Sequence, residues 1–172
     1  IQRTFGKIRA GLNASFNFSK INQFVQREQS LNKAFTQSFT PEIRTNFRIA
    51  PNVRLRYAYR VFQNNLGGRD TEFITKSPSI NFDAYFMKKF TFITKYSYTV
   101  QDDGTTLQSF QNWDANLLFR KSKDAKWEFE LKMSNILNID SQVRTRANTI
   151  SVINSETFIQ PRFITLRAVY NL

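Results

Sequence analysis

The chain of 172 residues contains no cysteine and no histidine, and it has only 5 glycines and 4 prolines. The absence of cysteine excludes a disulfide framework. The absence of histidine excludes Ser-His-Asp and Cys-His catalytic arrangements and a histidine-bound metal. We therefore expect this chain to be neither an enzyme nor the holder of a cofactor.

Long apolar runs are also missing, since no stretch reaches the about 18 residues that a transmembrane helix requires. Mean hydropathy is −0.46, yet 15% of the residues are aromatic and 18 are phenylalanine. This combination is typical of strands with one apolar and one polar face, because the two faces cancel in the mean. No signal peptide is visible, and Ile1 is not a natural start, so we expect a processed chain or a fragment.

Acidic residues are the third shortage, with 13 Asp and Glu against 25 Lys and Arg and a formal net charge of +12. The basic residues are scattered along the chain instead of clustering on one helix or loop, so we expect no nucleic-acid partner. Two interpretations of the charge remain open. One is a basic barrel lumen, and the other is a set of loops that meet lipopolysaccharide or an acidic ligand.

Apolar and polar residues alternate in eight segments. In the first, the even positions from Ile8 to Phe18 are apolar, and the odd positions are polar, charged or glycine. A period of two indicates a strand with different surroundings on its two faces. Its length suits the about 9–11 residues with which a tilted strand crosses a bilayer. The other seven predicted strands lie within residues 35–49, 53–62, 80–86, 90–98, 112–120, 127–134 and 161–172.

The connections are predicted to alternate in length. Short turns are expected near Pro51, Lys88 and residues 121–126. Longer loops are expected at residues 26–32, 64–70 and 101–105, with a long extracellular loop at about 138–158. Outer-membrane barrels have short periplasmic turns and longer extracellular loops. An even number of strands then places both termini in the periplasm.

Periodicity alone does not decide whether the apolar face meets lipid or the core of a soluble β-barrel or sandwich. The apolar positions are almost free of charge, and Arg or Lys facing the bilayer midplane costs about 2–4 kcal/mol. This favours lipid. The predicted lipid-facing aromatic residues are Phe16, Phe18, Phe47, Tyr57, Tyr59, Phe90, Phe92, Tyr96, Trp113, Trp127 and Tyr170.

The opposite positions carry charges of both signs. They form either a network of ion pairs that stiffens the wall or a positive lumen that favours anionic solutes. Glu128 and Glu130 share this face at a spacing that could in principle serve a glycosidase, but we expect them to answer Arg and Lys residues of neighbouring strands. The predicted lumen-facing charged residues are Arg44, Arg48, Arg54, Arg56, Arg60, Asp83, Lys95, Asp114, Arg120, Glu128, Glu130, Lys132 and Arg167.

The end of the chain alternates up to its last residue. Leu166, Ala168, Tyr170 and Leu172 form a pattern that resembles the C-terminal signal of bacterial outer-membrane barrels. Together with residues 134–138 (SNILN) and 143–146 (VRTR), it resembles the barrel proteins related to TonB-dependent receptors in Bacteroidota. The resemblance covers the chain from about Ser79 to the end.

We therefore expect residues 1–172 to form a single all-β domain, an antiparallel up-and-down transmembrane β-barrel of about eight strands or the C-terminal part of a larger one. The resemblance implies ligand-gated import of a nutrient across the outer membrane. The implied partners are outer-membrane lipid and lipopolysaccharide, the barrel assembly machinery acting on the C-terminal strand, an energy-transducing TonB-type protein and a surface lipoprotein. Two alternatives are a self-contained structural or adhesive barrel and a barrel subunit of a larger outer-membrane complex.

Overall fold

A computed structural model describes residues 1–25, 28–48, 51–122, 124–147 and 152–171. The fold is all-β, with 79% strand. No helix in these ranges is long and apolar enough to cross a membrane. The strands are β1 (Gln2–Phe5), β2 (Ile8–Val25), β3 (Glu28–Thr45), β4 (Asn52–Leu66), β5 (Arg69–Phe86), β6 (Phe90–Asp102), β7 (Leu107–Arg120), β8 (Trp127–Ser134), β9 (Ser141–Ala147), β10 (Val152–Phe158) and β11 (Phe163–Tyr170).

Nine of these strands form one antiparallel sheet in the order β1 to β8 followed by β11. Neighbours in the chain are neighbours in the sheet, so the predicted up-and-down antiparallel architecture is confirmed. β1 and β11 lie at the two edges, and no pairing joins them among the described residues. The sheet is therefore barrel-like in connectivity and open in this structure.

The register brings the apolar positions of neighbouring strands onto one face, which we call the apolar face; the other is the polar face. Because the pairing is antiparallel and in register, a row of apolar-face residues crosses six strands without interruption. Its members are Ala10, Ile43, Leu55, Ile80, Tyr96 and Trp113. The alternation seen in the sequence is thus a property of the whole sheet.

The strands extend further than their apolar alternation predicts. β2 and β3 pair up to Val25 and Glu28, and β4 and β5 pair up to Leu66 and Arg69. Strand therefore replaces most of the loops expected at residues 26–32 and 64–70, although residues 26–27 lie outside the described part. Gly67 (φ 58°) and Gly68 (φ 84°) close the second hairpin, as a two-residue turn with positive φ at both positions requires.

The sheet has nine strands instead of the expected eight because of β1. This strand of 4 residues pairs with the start of β2, and it is too short to show a periodicity. Ile1 and Leu12 exchange backbone hydrogen bonds of 2.8 Å. Ile1 thus lies beside the middle of the apolar stretch of β2.

The long loop expected at about 138–158 contains a separate hairpin, in which β9 pairs with β10. Asn135, which is 5% exposed, holds its base. The Asn135 side chain donates to the carbonyls of Ile139 (2.8 Å) and Gln160 (3.0 Å), and it accepts from Ile139 N (2.9 Å). Its backbone N–H donates to Asp114 Oδ1 (3.0 Å) on β7. One side chain therefore joins both ends of the excursion to the sheet.

Candidate functional site: the two faces of the sheet

Most of the large exposed apolar side chains of the sheet lie on its apolar face. Phe16 and Phe18 on this face are 62% and 65% exposed, and Leu166 is 73% exposed, although Val61 is buried at 4%. On the polar face, Ala34 and Phe62 are only 5% and 7% exposed, whereas Ile93 is 43% exposed. Soluble monomers seldom expose large contiguous apolar patches. The exposed part of the apolar face is therefore available to an apolar partner.

We call the end of the sheet at Gly67 and Gly68 the glycine-turn end, and the end at Lys88 and Lys89 the lysine-turn end. On β2 to β8 and β11, the charged residues that the register places on the apolar face all lie toward the glycine-turn end. Arg3, on the edge strand β1 opposite Ala10, is the exception. Between the two ends, the apolar face of β2 to β8 and β11 is an uncharged band, which we call the belt. The charged residues beyond it are Lys20, Lys33, Asp70, Glu72, Lys76 and Asp102.

The belt does not run straight along the hydrogen-bonded rows. Ala10 and Trp113 belong to the same row. Between Ala10 and the lysine-turn end, β2 has one further apolar-face residue, Ile8. Between Trp113 and the same end, β7 has three, which are Ala115, Leu117 and Phe119. The belt thus shifts toward the lysine-turn end from β2 to β7. Such a stagger is what tilted strands in a barrel wall require.

Aromatic rings border the belt at the lysine-turn end. Phe90 lies 5.3 Å from Phe86 and 4.9 Å from Phe119, measured between ring centroids. The series continues from Phe119 through Phe129 to Trp127, whose ring lies 5.0 Å from that of Tyr170. The ammonium of Lys126 lies 5.6 Å from the Tyr170 ring. Aromatic girdles flank the apolar band of transmembrane barrels in this way.

The register places ten of the eleven aromatic residues predicted to face lipid on the apolar face. Phe47 is the remaining one. It follows the end of β3, in a turn, where the Lys7 ammonium lies 5.6 Å from its ring. Leu166, Ala168 and Tyr170 of the C-terminal signal also lie on the apolar face, and Leu172 lies outside the described residues.

The predicted lumen-facing charges lie together on the polar face, apart from Arg48, which lies in the bend after β3. On β7, β8 and β11 four of these charges form two ion pairs. Arg120 forms an ion pair with Glu128, and Arg167 Nη1 lies 3.5 Å from Glu130 Oε2. Asn116 Nδ2 also donates to Glu130 at 2.7 Å. Glu128 and Glu130 therefore each have a cationic partner of their own.

On β2 to β6 the polar face is richer in cations. A cavity of about 750 Å³ lies here, and its lining includes Arg9, Arg44, Arg54 and Lys95. Residues from five adjacent strands line it, and its charged residues lie on the polar face. The pairing register of the strands brings this cluster together, with Arg9 and Asn81 in its central row. Nothing in the local sequence around Arg9 or Asn81 distinguishes them as site residues.

The turn after β6 holds its acidic residues by local hydrogen bonds. The Asp103 carboxylate accepts from the backbone and hydroxyl groups of Thr105 and Thr106, at 2.6–2.9 Å. These bonds, led by that of the Thr105 hydroxyl, hold the pKa of Asp103 well below its ordinary value. The pair Asp102 and Asp103 thus forms a turn. No group of three or more acidic, His or Cys side chains in the described ranges is placed to hold a metal ion.

No protein-family model, curated protein or solved structure matches this chain.

Proposed function

We propose that the chain forms part of the wall of a bacterial outer-membrane β-barrel, with its apolar face toward lipid and its polar face toward the lumen. The uncharged, exposed belt carries this proposal. A charge at the bilayer midplane costs about 2–4 kcal/mol, and sequences that face lipid therefore exclude charge over the membrane thickness. The aromatic row at the lysine-turn end and the stagger of the belt support the same orientation.

The two open edges support a wall that further strands complete. Backbone groups without hydrogen bonds cost several kcal/mol each in hydrocarbon, so β1 and β11 both need partners within a membrane. β1 covers only residues 8–11 of β2, which leaves the rest of that edge to be paired. A self-contained eight-stranded barrel has no such edges, and the open sheet favours a larger barrel over it.

For the activity, we propose a TonB-dependent receptor-like importer that moves a ligand across the outer membrane. This rests on the resemblance of residues 134–138, 143–146 and 161–172 to that family. The first of these segments contains Asn135, which fixes the base of the β9–β10 hairpin. A structural need for asparagine at this position gives that part of the resemblance a physical basis.

The test is the intact mass of the mature protein extracted from outer membranes, with peptide mapping to locate this chain within it. We expect a species several times larger than the 20.2 kDa of this chain, because an importer needs further strands and a plug. A species of about the mass of this chain would contradict the importer and favour the structural or adhesive barrel. Absence from the outer-membrane fraction would contradict both.

A further inference from the structure

A row of basic residues crosses the polar face. The pairing places Arg9 on β2 beside Arg44 on β3, and Arg44 beside Arg54 on β4. Like charges directly opposite one another are destabilising, since the Cβ atoms of such pairs are only about 4.5–5.5 Å apart. The row continues through Asn81 on β5 to Lys95 on β6.

The carboxylates nearby neutralise only one member of this row, which is Arg54. Glu42 Oε1 lies 3.7 Å from Arg54 Nε, and Asp83 accepts from Asn52 Nδ2 at 3.3 Å. Asp114 lies directly opposite Lys95, but its carboxylate binds the N–H groups of Asn112 and Asn135 instead.

Among the described residues, three cations of the row are thus left without an ion pair. In the part of the chain that the structure describes, no carboxylate lies within 4.0 Å of the charged groups of Arg9, Arg44 or Lys95. Gln2 accepts from Arg9 Nε (3.0 Å) and Nη1 (3.2 Å) in the amide orientation that its neighbours require. An amide neutralises no charge, so the repulsion within the row remains.

The same row lines the cavity of about 750 Å³, a volume in the range of small-molecule sites. Asp83 is the acidic residue of this lining, against the four cations. Asn81 Oδ1 is buried without a hydrogen-bond partner among the described residues. The amide at the centre of the row therefore has unused hydrogen-bonding capacity, and rotation of its plane would present its NH2 group to an acceptor.

We infer that this cavity binds a small polyvalent anion, whose carboxylate or phosphate groups bridge the guanidinium groups of Arg9, Arg44 and Arg54. Guanidinium forks bind both kinds of group through paired N–H donors, and negative charge over the row removes the repulsion between its members. Lys95 adds a point charge at the far side. The inference requires the folded sheet but not the import activity.

The test is calorimetric titration of the full-length protein in detergent at low ionic strength, with citrate in one arm and inorganic phosphate in the other. We expect saturable binding of at least one anion. Binding of citrate alone assigns carboxylate as the recognised group, and binding of phosphate alone assigns phosphate.

The central variant is Arg44→Gln, with Arg60→Gln as its matched control. Arg60 lies on the same face but outside the cavity lining, so its loss removes an equal charge elsewhere. Arg44→Gln should weaken binding about tenfold, as expected for the loss of one charge-assisted hydrogen bond. Arg60→Gln should change it less than about twofold, and Arg44→Lys should fall between the two because it keeps the charge and loses the fork.

Two results would overturn the site. One is the absence of saturable binding for both anions. The other is an equal loss from Arg44→Gln and Arg60→Gln, which would assign the attraction to the overall positive charge. Both variants should melt no lower than the parent protein, so that unfolding does not imitate a loss of binding. A small self-contained species that still binds anions would remove the importer and retain this site.

Discussion

The apolar and polar faces of the sheet share a backbone but differ in how many large apolar side chains they expose. The apolar face leaves Phe16 and Trp127 62% and 52% exposed, while the polar face buries Phe62 to 7%. In a soluble β-sheet the apolar face packs on a core and the polar face meets water. The inverted arrangement here is explained if the solvent around the apolar face is lipid.

The polar face itself is divided. On β7, β8 and β11, Arg120 and Arg167 each have a carboxylate partner. On β2 to β6, Arg9 and Arg44 lie side by side. The first region shows that this face can neutralise its charges from within. The second region therefore indicates a demand for negative charge from elsewhere.

The largest effect should come from truncating a buried side chain on the polar face. Phe62→Ala removes a ring that lies 6.4 Å from Phe73, and we expect it to lower the free energy of unfolding by about 3–5 kcal/mol. Phe16→Ala on the apolar face should cost less, about 1.5–3 kcal/mol, because the side chain loses its transfer into lipid and its contact with Phe39 but leaves no cavity in a packed core. Urea unfolding of the full-length protein in lipid measures both losses. Equal losses would contradict the proposed difference between the two faces.

Introducing a charge should discriminate between the faces almost as strongly. Ile80→Arg places a cation in the middle of the belt, where we expect a loss of about 2–4 kcal/mol. Ile93→Arg makes the same change on the polar face, at similar exposure (43% against 39%). Its position opposite Asp83 should keep the loss below about 1 kcal/mol. A larger loss from Ile93→Arg would reverse the assignment of lipid and lumen.

A smaller difference should separate the two regions of the polar face. Arg120→Gln breaks the ion pair with Glu128. The Arg120 side chain is 41% exposed and that of Glu128 is 26% exposed. At this exposure solvent screening limits the loss to about 1 kcal/mol or less. Arg44→Gln should leave the free energy of unfolding unchanged or raise it slightly at low salt, because it relieves repulsion. A destabilisation by Arg44→Gln equal to that of Arg120→Gln would contradict the division.

The smallest effect should come from the turn after β6, which belongs to neither face. The folded-state pKa of Asp103 is lowered, so its contribution to stability is present above its ordinary pKa and lost as pH falls through the lowered one. Asp103→Asn should remove this pH-dependent part while keeping a side-chain acceptor. Melting curves of the two proteins should therefore converge in strong acid, and a constant difference at all pH values would contradict the cause given for the shift.

Alternation in the sequence was sufficient to predict the faces, because a period of two fixes the side of each residue once a strand exists. It did not predict the strand ends. Residues 64–66 and 69–70 are polar or belong to a turn-like sequence, yet backbone pairing continues through them. Beyond the belt, a hairpin needs only backbone hydrogen bonds, and these do not depend on an alternation of apolar and polar residues.

The cation row was not predictable for a different reason. Arg9, Arg44 and Arg54 are far apart in the chain, and their contact depends on the register of three strands. A slip of one residue would move a whole strand to the other face, so alternation fixes the face but not the partner. The hydrogen bonds of Asn135 likewise depend on where the chain re-enters the sheet at Gln160.

The most direct test of the proposal that the belt faces lipid uses Trp113 and Trp127, the two tryptophans of the chain. Fluorescence quenching is measured in vesicles of brominated lipid, and each signal is isolated by comparison with Trp113→Phe or Trp127→Phe. As a control, Asn112→Trp in the Trp113→Phe protein moves the indole to the polar face. We predict strong quenching of Trp113 by bromines deep in the acyl chains, quenching of Trp127 by bromines near the headgroups, and little quenching at position 112. Quenching of position 112 equal to or above that of Trp113 would contradict the account.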